Sequence, residues 1–449
     1  PGGFHQQLSF PVAADPEPRG LAWADVNGDE RLDLVAARST GVLLLVNQGR
    51  TFQDLTRQFG LQGQGARSVS WADYNGDDHP DLMTDRFALF TSVGGTLRND
   101  SRLVPAPASR NTEGAAWCDA NGDGWPDLLI TNGEGGIRLL QNTGAGPTWF
   151  RDVSEAAGLG PKGPGAGNGD FIAGLDADAD GYGDLLYNLG DGLLLRNTGR
   201  GGFVVRSGTG LTLPGGNNYK RGLAVADFDN DDDPDLFIPA ADRPKLYRHN
   251  ADGTFTDVFA QCGDPTAETD PCVAAAWGDV DGDGNLDLFV CHTQGSSRLY
   301  LGDGKGRFRD VSEAAGVRKL SPAYAVSLAD VDGDGDLDLA VHLSDRVVIA
   351  INDFRRPTKY STLTVQVHVR RGLVGAVVRV DQASGRSCGT RLLATADSCG
   401  GQTSPNAHFG LAAGKYHVTV CLSDGRAHRK SIDLTVKPAT LVFHENEFQ

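Results

Sequence analysis

Aspartate recurs in this chain at a spacing suited to holding a hard cation. The segment Asp279-Val-Asp281-Gly-Asp283-Gly-Asn285-Leu-Asp287 places four carboxylates two, two and four residues apart, with glycines between them. The pattern returns at Asp330, Asp332, Asp334, Asp336 and Asp338, and five versions precede these two. They are Asp25, Asn27, Asp29 and Asp33; Asp73, Asn75, Asp77 and Asp81; Asp119, Asn121, Asp123 and Asp127; Asp176, Asp178, Asp180 and Asp184; and Asp227, Asp229, Asp231 and Asp235. Three or four carboxylates within nine residues repel one another, so an empty loop is disfavoured in a folded state. A cation that accepts six to eight oxygens removes that repulsion, which points to Ca²⁺; Mg²⁺ demands a tighter octahedron and keeps its waters.

Side-chain oxygens are expected from positions 1, 3, 5 and 9. Position 7 is expected to give its backbone carbonyl, which explains its variety: Arg31, His79, Trp125, Tyr182, Asp233, Asn285 and Asp336. Glycine or asparagine at position 4 lets the chain wrap the ion, with Ala179 the exception. No Cys or His recurs at ligand spacing, which argues against zinc. Asx-turns without metal are the alternative for any single loop. Seven copies, none lacking Asp at positions 1, 5 or 9, favour the cation: up to seven Ca²⁺, one per repeat. Asn at position 3 removes a charge and predicts weaker binding in the first three loops. A cation bound only by the folded chain stabilises it by mass action. The position-9 Asp, the apolar sequence after it, and Pro80, Pro126 or Pro234 at position 8 set these loops apart from a helix-flanked calcium loop.

The elements that must carry the loops repeat with them. First Asp to first Asp, the steps are 48, 46, 57, 51, 52 and 51 residues. Each loop follows a small-and-apolar run such as Gly20-Leu-Ala-Trp23-Ala. It precedes a Leu- or Ile-rich run, a second apolar run ending in a Gly turn, and a Phe-containing segment such as Phe150-Arg-Asp-Val-Ser. Four short strands in about 50 residues match a propeller blade. The expected fold is therefore all-β: a seven-bladed β-propeller over residues 1–354 with cation-binding hairpin loops. The seventh unit lacks its fourth strand, and residues 4–10 are expected to complete it and close the ring.

From residue 358 to 449 the acidic loops stop. Alternating segments at Leu363–Val369, Ala376–Val380, Tyr416–Cys421 and Ile432–Val436 predict a small antiparallel β-sandwich. The charge changes with the pattern. Of the chain's 41 basic and 58 acidic residues, 13 and 6 lie from Arg355 onward, leaving 28 against 52 before it. The first part thus carries −24 and the second +7. An acidic surface of this kind repels phosphate, which excludes a nucleic-acid binder. No apolar run reaches the roughly 20 residues of a membrane helix. No leader with a basic start and apolar middle is visible, which suits either a chain made without one or a mature form.

Seven cysteines include two close pairs, Cys262 with Cys272 and Cys388 with Cys399. Both flank polar turns and read as disulfides of an oxidising compartment. Cys118, Cys291 and Cys421 sit in apolar runs and read as small buried hydrophobes. Asn99-Asp-Ser101 is a glycosylation acceptor pattern.

The D-x-[DN]-x-D-x-x-x-D-L loops resemble the FG-GAP or VCBS repeats of integrin α-subunit propellers and their bacterial relatives. That resemblance implies Ca²⁺ on the hairpins of a seven-bladed ring. Gly375-Ala-Val-Val-Arg-Val, Ala407-His408-Phe409-Gly410-Leu411 and Tyr416-His-Val-Thr-Val resemble the ASPIC/UnbV module of the cartilage acidic proteins, although the usual Trp-Pro is here Leu422-Ser423. This implies a secreted protein whose partner is an extracellular or cell-surface protein, or a glycan.

No nucleophile elbow, phosphate-binding loop or metalloprotease motif occurs, and His408 reads as a core residue, so no enzyme is expected. Trp23, Trp71, Trp117 and Trp277 stand two residues before their loops and read as packing between blades; the alternative is a sugar-stacking ring of a calcium-dependent lectin. Arg355, Arg356, Arg370, Arg371, Arg426, Arg429 and Lys430 suit a sulfated glycan or an acidic partner, or equally the chain's own acidic ring.

Overall fold

The computed structural model describes residues 2–15, 19–105, 112, 114–131, 136–164, 171–187, 193–212, 222–241, 243–263, 271–397 and 400–448. Each repeat unit folds as one four-stranded antiparallel sheet. In the first blade Arg19–Ala24, Asp33–Ala37, Leu43–Asn47 and Phe52–Asp54 pair in chain order. Five sheets repeat this arrangement. In the seventh, Gln6–Pro11 from the start of the chain pairs antiparallel with Arg346–Ile351 as its outer strand.

The first three strands of blade 1 are buried along their whole length. Both faces of a sheet that stacks between neighbours are covered, so these strands read as continuous apolar runs rather than alternating ones. The cores lie between sheets. Val35 and Leu44 of blade 1 pack with Trp71 and Phe90 of blade 2, and equivalent clusters join every later pair. The last cluster joins Trp23, Leu34 and Leu45 of blade 1 to Ala325, Val347 and Ile349 of blade 7, so the ring is closed.

Side-chain amides add polar staples between blades. Asn47 at the end of the third strand donates to the Val331 carbonyl of blade 7 at 2.7 Å and to Leu32 at 3.3 Å. Asn142 does the same to Tyr74 and Pro126, and Asn352 to Val280 and Leu337. Asn47 and Asn142 stand two residues before a turn glycine, whereas Asn352 leads into the linker.

The C-terminal part has its own core around Val365, Val378, Phe409, Val418 and Phe443. Ala407–Ala412, Tyr360–His368 and Ala439–His444 form one sheet; Ser387–Leu392, Val377–Gln382, Gly414–Cys421 and Ala427–Leu434 form the other. Tyr360–His368 and Ala439–His444 run parallel, a departure from the antiparallel sandwich expected, because the chain enters the last strand from the opposite sheet. A short hairpin, Ala396–Asp397 with Gly401–Gln402, leaves this module and enters the axis of the ring. There Val69 N–H donates to Gly400 O at 3.1 Å, and Gln402 exchanges two 2.8 Å hydrogen bonds with the Trp71 backbone. A Cβ on Gly401 would lie 2.5 Å from Leu21 O, so the innermost strands leave no room for a side chain there.

No disulfide joins any two described cysteines. Cys262 and Cys272, expected to be bridged, are instead buried in the core between blades 5 and 6, with Cys272 Sγ donating to Ala240 O. Cys399 lies outside the described residues. Cys421 is exposed rather than buried, because strand alternation turns Val420 inward and its neighbour out.

Replacing Asn47 with Ala leaves the Val331 and Leu32 carbonyls without this donor in the seam that closes the ring. The expected loss is about 2 kcal/mol, read as a lower urea midpoint; an unchanged midpoint would contradict the staple.

Candidate metal centres

All seven loops share one hydrogen-bonding scheme. The position-9 aspartates (Asp33, Asp81, Asp127, Asp184, Asp235, Asp287, Asp338) open the second strand of each blade and are at most 1% exposed. Each accepts at Oδ2 from the N–H of position 2, at 2.8–3.2 Å. Each accepts at Oδ1 from an N–H at the end of the third strand, at 2.7–2.9 Å. One carboxylate therefore ties the loop's entry, its exit and the neighbouring strand.

The position-1 carboxylate organises the turn. In every loop its Oδ2 accepts from the N–H of position 6, at 2.7–3.2 Å. The position-5 carboxylate accepts from the N–H of position 7, at 2.9–3.1 Å. Positions 4 and 6 both take positive φ. At position 4 the residues are five glycines, Asn230 at 59° and Ala179 at 55°. At position 6 Gly124, Gly181, Gly284 and Gly335 alternate with Glu30 (65°), Asp78 (67°) and Asp232 (75°). The requirement at position 6 was not apparent in the sequence, because three non-glycines mask it.

Four loops bring three carboxylates together, with ligand oxygens within 4.8 Å of one another. The groups are Asp176, Asp178 and Asp184; Asp227, Asp229 and Asp235; Asp279, Asp281 and Asp287; Asp330, Asp332 and Asp338. They come from positions 1, 3 and 9. Asp180, Asp231, Asp283 and Asp334 at position 5 are outside these groups. In loops 2 and 3 Asn75 and Asn121 donate instead to the position-5 carboxylates Asp77 and Asp123, at 3.0 and 2.8 Å. In loop 1 Arg31 pairs with Asp29, and Asn27 accepts from the Asp29 N–H.

The donor set fits a hard cation. Asp229 Oδ1 and Asp281 Oδ1 are buried with no hydrogen-bond partner, and a cation between positions 1, 3 and 9 would satisfy both. Burial, the largest cause, raises the position-9 carboxyls: Asp33 and Asp184 to about 7, Asp81 and Asp338 to about 8, and Asp235 to about 9. Asp127 and Asp287 shift in the same direction. At position 1, burial lifts Asp73, Asp227 and Asp330 to about 6.

Trp23, Trp71 and Trp117 are buried between blades, and Trp277 stacks on Phe228 at 5.9 Å. These rings are committed to packing. Of the basic residues, Arg356 pairs with Asp336 at 3.0 Å and Arg370 with Asp78 at 3.2 Å, both on the acidic loops. Arg371 lies over the Trp125 ring at 5.5 Å. Arg426 and Lys430 pair within the module, with Asp424 and Glu447. His408 is buried, and its Nε2 bonds Gly335 O at 2.8 Å. Asn99 is exposed and its Oδ1 accepts from Ser101 Oγ at 2.6 Å. No helix among the described residues is long and apolar enough to cross a membrane.

A family model described as FG-GAP-like repeat matches residues 7–84, 119–187, 234–290 and 279–341, together more than half of the chain. Cartilage acidic protein 1 of Xenopus tropicalis is 33% identical over 145 residues, 31% of this chain and 22% of that protein. The Homo sapiens protein is 34% identical over 124 residues, 26% of this chain and 18% of its own length. The alignments therefore span about a fifth of these relatives. Among solved structures, BBS1N in complex with ARL6DN has a TM-score of 0.50 at 14% identity, covering 79% of this chain and 98% of that one. An Agrocybe aegerita lectin that recognises non-reducing terminal N-acetylglucosamine has a TM-score of 0.48 at 20% identity, over 66% of this chain and 79% of its own.

Two outcomes test the loop geometry. Gly28→Ala adds a Cβ that meets nothing within 4 Å but sits at φ 74°, so only backbone strain changes. It should destabilise by about 1–2 kcal/mol, and Ala179→Gly should stabilise slightly; reversed signs in chemical denaturation would refute the scheme. A carboxyl raised in the folded state contributes stability that is full below its unfolded value near 4 and lost as pH rises through the folded value. With chelator present, melting temperature should fall from pH 5 to pH 8 through the position-9 carboxyls. Calcium should reverse that slope, since binding needs the carboxylates deprotonated.

Proposed function

We propose, from the premise that this chain belongs to the FG-GAP-like repeat family, that it is a secreted, calcium-binding propeller serving extracellular recognition, as an adhesion or matrix protein. The carrying observation is the set of carboxylate triplets from positions 1, 3 and 9, two of them with buried, unpartnered oxygens. Oxygen-only donors in an irregular loop suit calcium. The role of the ion is structural: the position-1 and position-9 carboxylates it would touch also hold backbone N–H groups of their own blade, so filling the site rigidifies the sheet hairpin. Loops 4 to 7, with Asp at position 3, bind more tightly than loops 1 to 3. The extracellular setting is supported by the likeness to cartilage acidic protein 1, over the aligned part alone.

The function is binding rather than catalysis. A lectin role stays the alternative, but the four loop-proximal tryptophans are packed into the blades, so sugar stacking would need other residues. Capture of one cell-surface protein by the immobilised chain supports the adhesion reading; glycan-array binding lost on chelation supports the lectin.

Chelation should lower the melting temperature by more than about ten degrees, since each site held at 100 times its Kd contributes about 2.7 kcal/mol. Identical melts in calcium and in chelator would remove the proposal's basis.

A further inference from the structure

The outer side of the acidic loops is a seat for the C-terminal module. In loop 3, Ser423 Oγ donates to Asp119 Oδ2 at 2.8 Å, and Gly372 N–H donates to Gly124 O at 2.8 Å. In loop 5, Asp232 accepts from Ser387 Oγ at 2.6 Å and pairs with Arg379 at 2.9 Å. In loop 6, a Cβ on Gly410 would lie 2.0 Å from Asp279 Oδ2, so the module's backbone rests on that carboxylate. In loop 7, His408 reaches Gly335 O and Arg356 reaches Asp336. Arg391, half-buried, lies in the field of both Asp227 and Asp279. Loop 4 makes no hydrogen bond or ion pair with the module among the described residues.

The module's hydrogen bonds and ion pairs with the loops fall on positions 1, 6 and 7, whose places are fixed by the position-1 carboxylate and by the turn around the cation. We infer that cation occupancy of loops 5, 6 and 7, which carry the carboxylate triplets, controls docking of the C-terminal module and, with it, insertion of the axial hairpin. The inference rests on the calcium reading above. Without the ion, three carboxylates within 4.8 Å repel, the turn opens, and the acceptors the module uses move apart. Charge alone predicts the opposite. The propeller carries −24 and the module with its linker +7, so seven calcium ions would cut the attraction by lowering the propeller to −10. Geometry and charge thus give calcium opposite effects on docking.

The amides of Val69 and Trp71 report docking directly, since both donate to the inserted hairpin. Hydrogen exchange of residues 68–72 in the full chain is compared between Asp332→Asn and Asp178→Asn. Each substitution removes one position-3 ligand, and neither residue touches the module. Bound calcium is counted in both at a calcium concentration that fills loops 4 to 7 and leaves the Asn-containing loops 1 to 3 empty. Expected is loss of an ion in both variants, with exchange at 68–72 about tenfold faster in Asp332→Asn alone. The unmutated chain in chelator should show the same acceleration, which covers a variant that fails to fold. Ion loss without faster exchange in Asp332→Asn, or protection that rises when calcium is removed, overturns the inference. Unchanged calcium content in both variants overturns the calcium reading beneath it.

Discussion

The structure depends on one buried carboxylate per blade. The position-9 aspartate faces two backbone N–H groups, one at the start of its loop and one at the end of the third strand, in a site closed to water. Only a group with two acceptor oxygens on a short stem meets both. Asparagine would turn a donor toward one of the N–H groups, and glutamate would overreach. The arrangement leaves a charge where burial disfavours it, as the raised titration of Asp81 and Asp235 shows. A fold that needs this anion seven times needs a counter-charge beside it, which ties the loop's ligands to the sheet's hydrogen bonds.

Closure follows from the same units. Each blade is apolar on both faces and cannot be stable alone, so each cluster of core side chains belongs to two sheets. The final seam, between blades 7 and 1, is apolar like the others and has the asparagine staple that also joins blades 2 and 3 and blades 6 and 7. The outer strand supplied by Gln6–Pro11 ties the start of the chain to its last blade. The ring leaves an axial space, and the hairpin around Gly400 and Gly401 fills part of it with backbone rather than side chains.

Most of the repeat was legible because its signals are covalent neighbours. The loop aspartates, the apolar runs and the Phe segments lie within one 50-residue unit, and their recurrence removes the ambiguity of any single copy. What escaped depends on distant partners. The axial hairpin has two-residue strands, too short for any periodicity, and its glycines are explained by Leu21, Ser68 and Phe171, more than 200 residues away. The left-handed position 6 is hidden by Glu30, Asp78 and Asp232, which tolerate the strain because their N–H groups are held by position 1. The cysteine spacing suggested a bridge at Cys262 and Cys272, yet both thiols are enclosed by blade packing.

The division of charge along the chain takes on a different meaning once the module is seated. An acidic ring and a basic tail suggest two surfaces for two partners. Here Arg356, Arg370 and Arg379 meet Asp336, Asp78 and Asp232 within one molecule, and Arg391 lies in the field of two loops. Exposed pairs of this kind contribute little each; their role is to select orientation, since only one rotation of the module about the axis brings all of them into register with loops that differ in detail. Much of the acidity therefore serves assembly of the chain with itself. Loops 2, 3, 5, 6 and 7, which resemble a display of binding sites, thus serve in part as a docking face for the chain's own module.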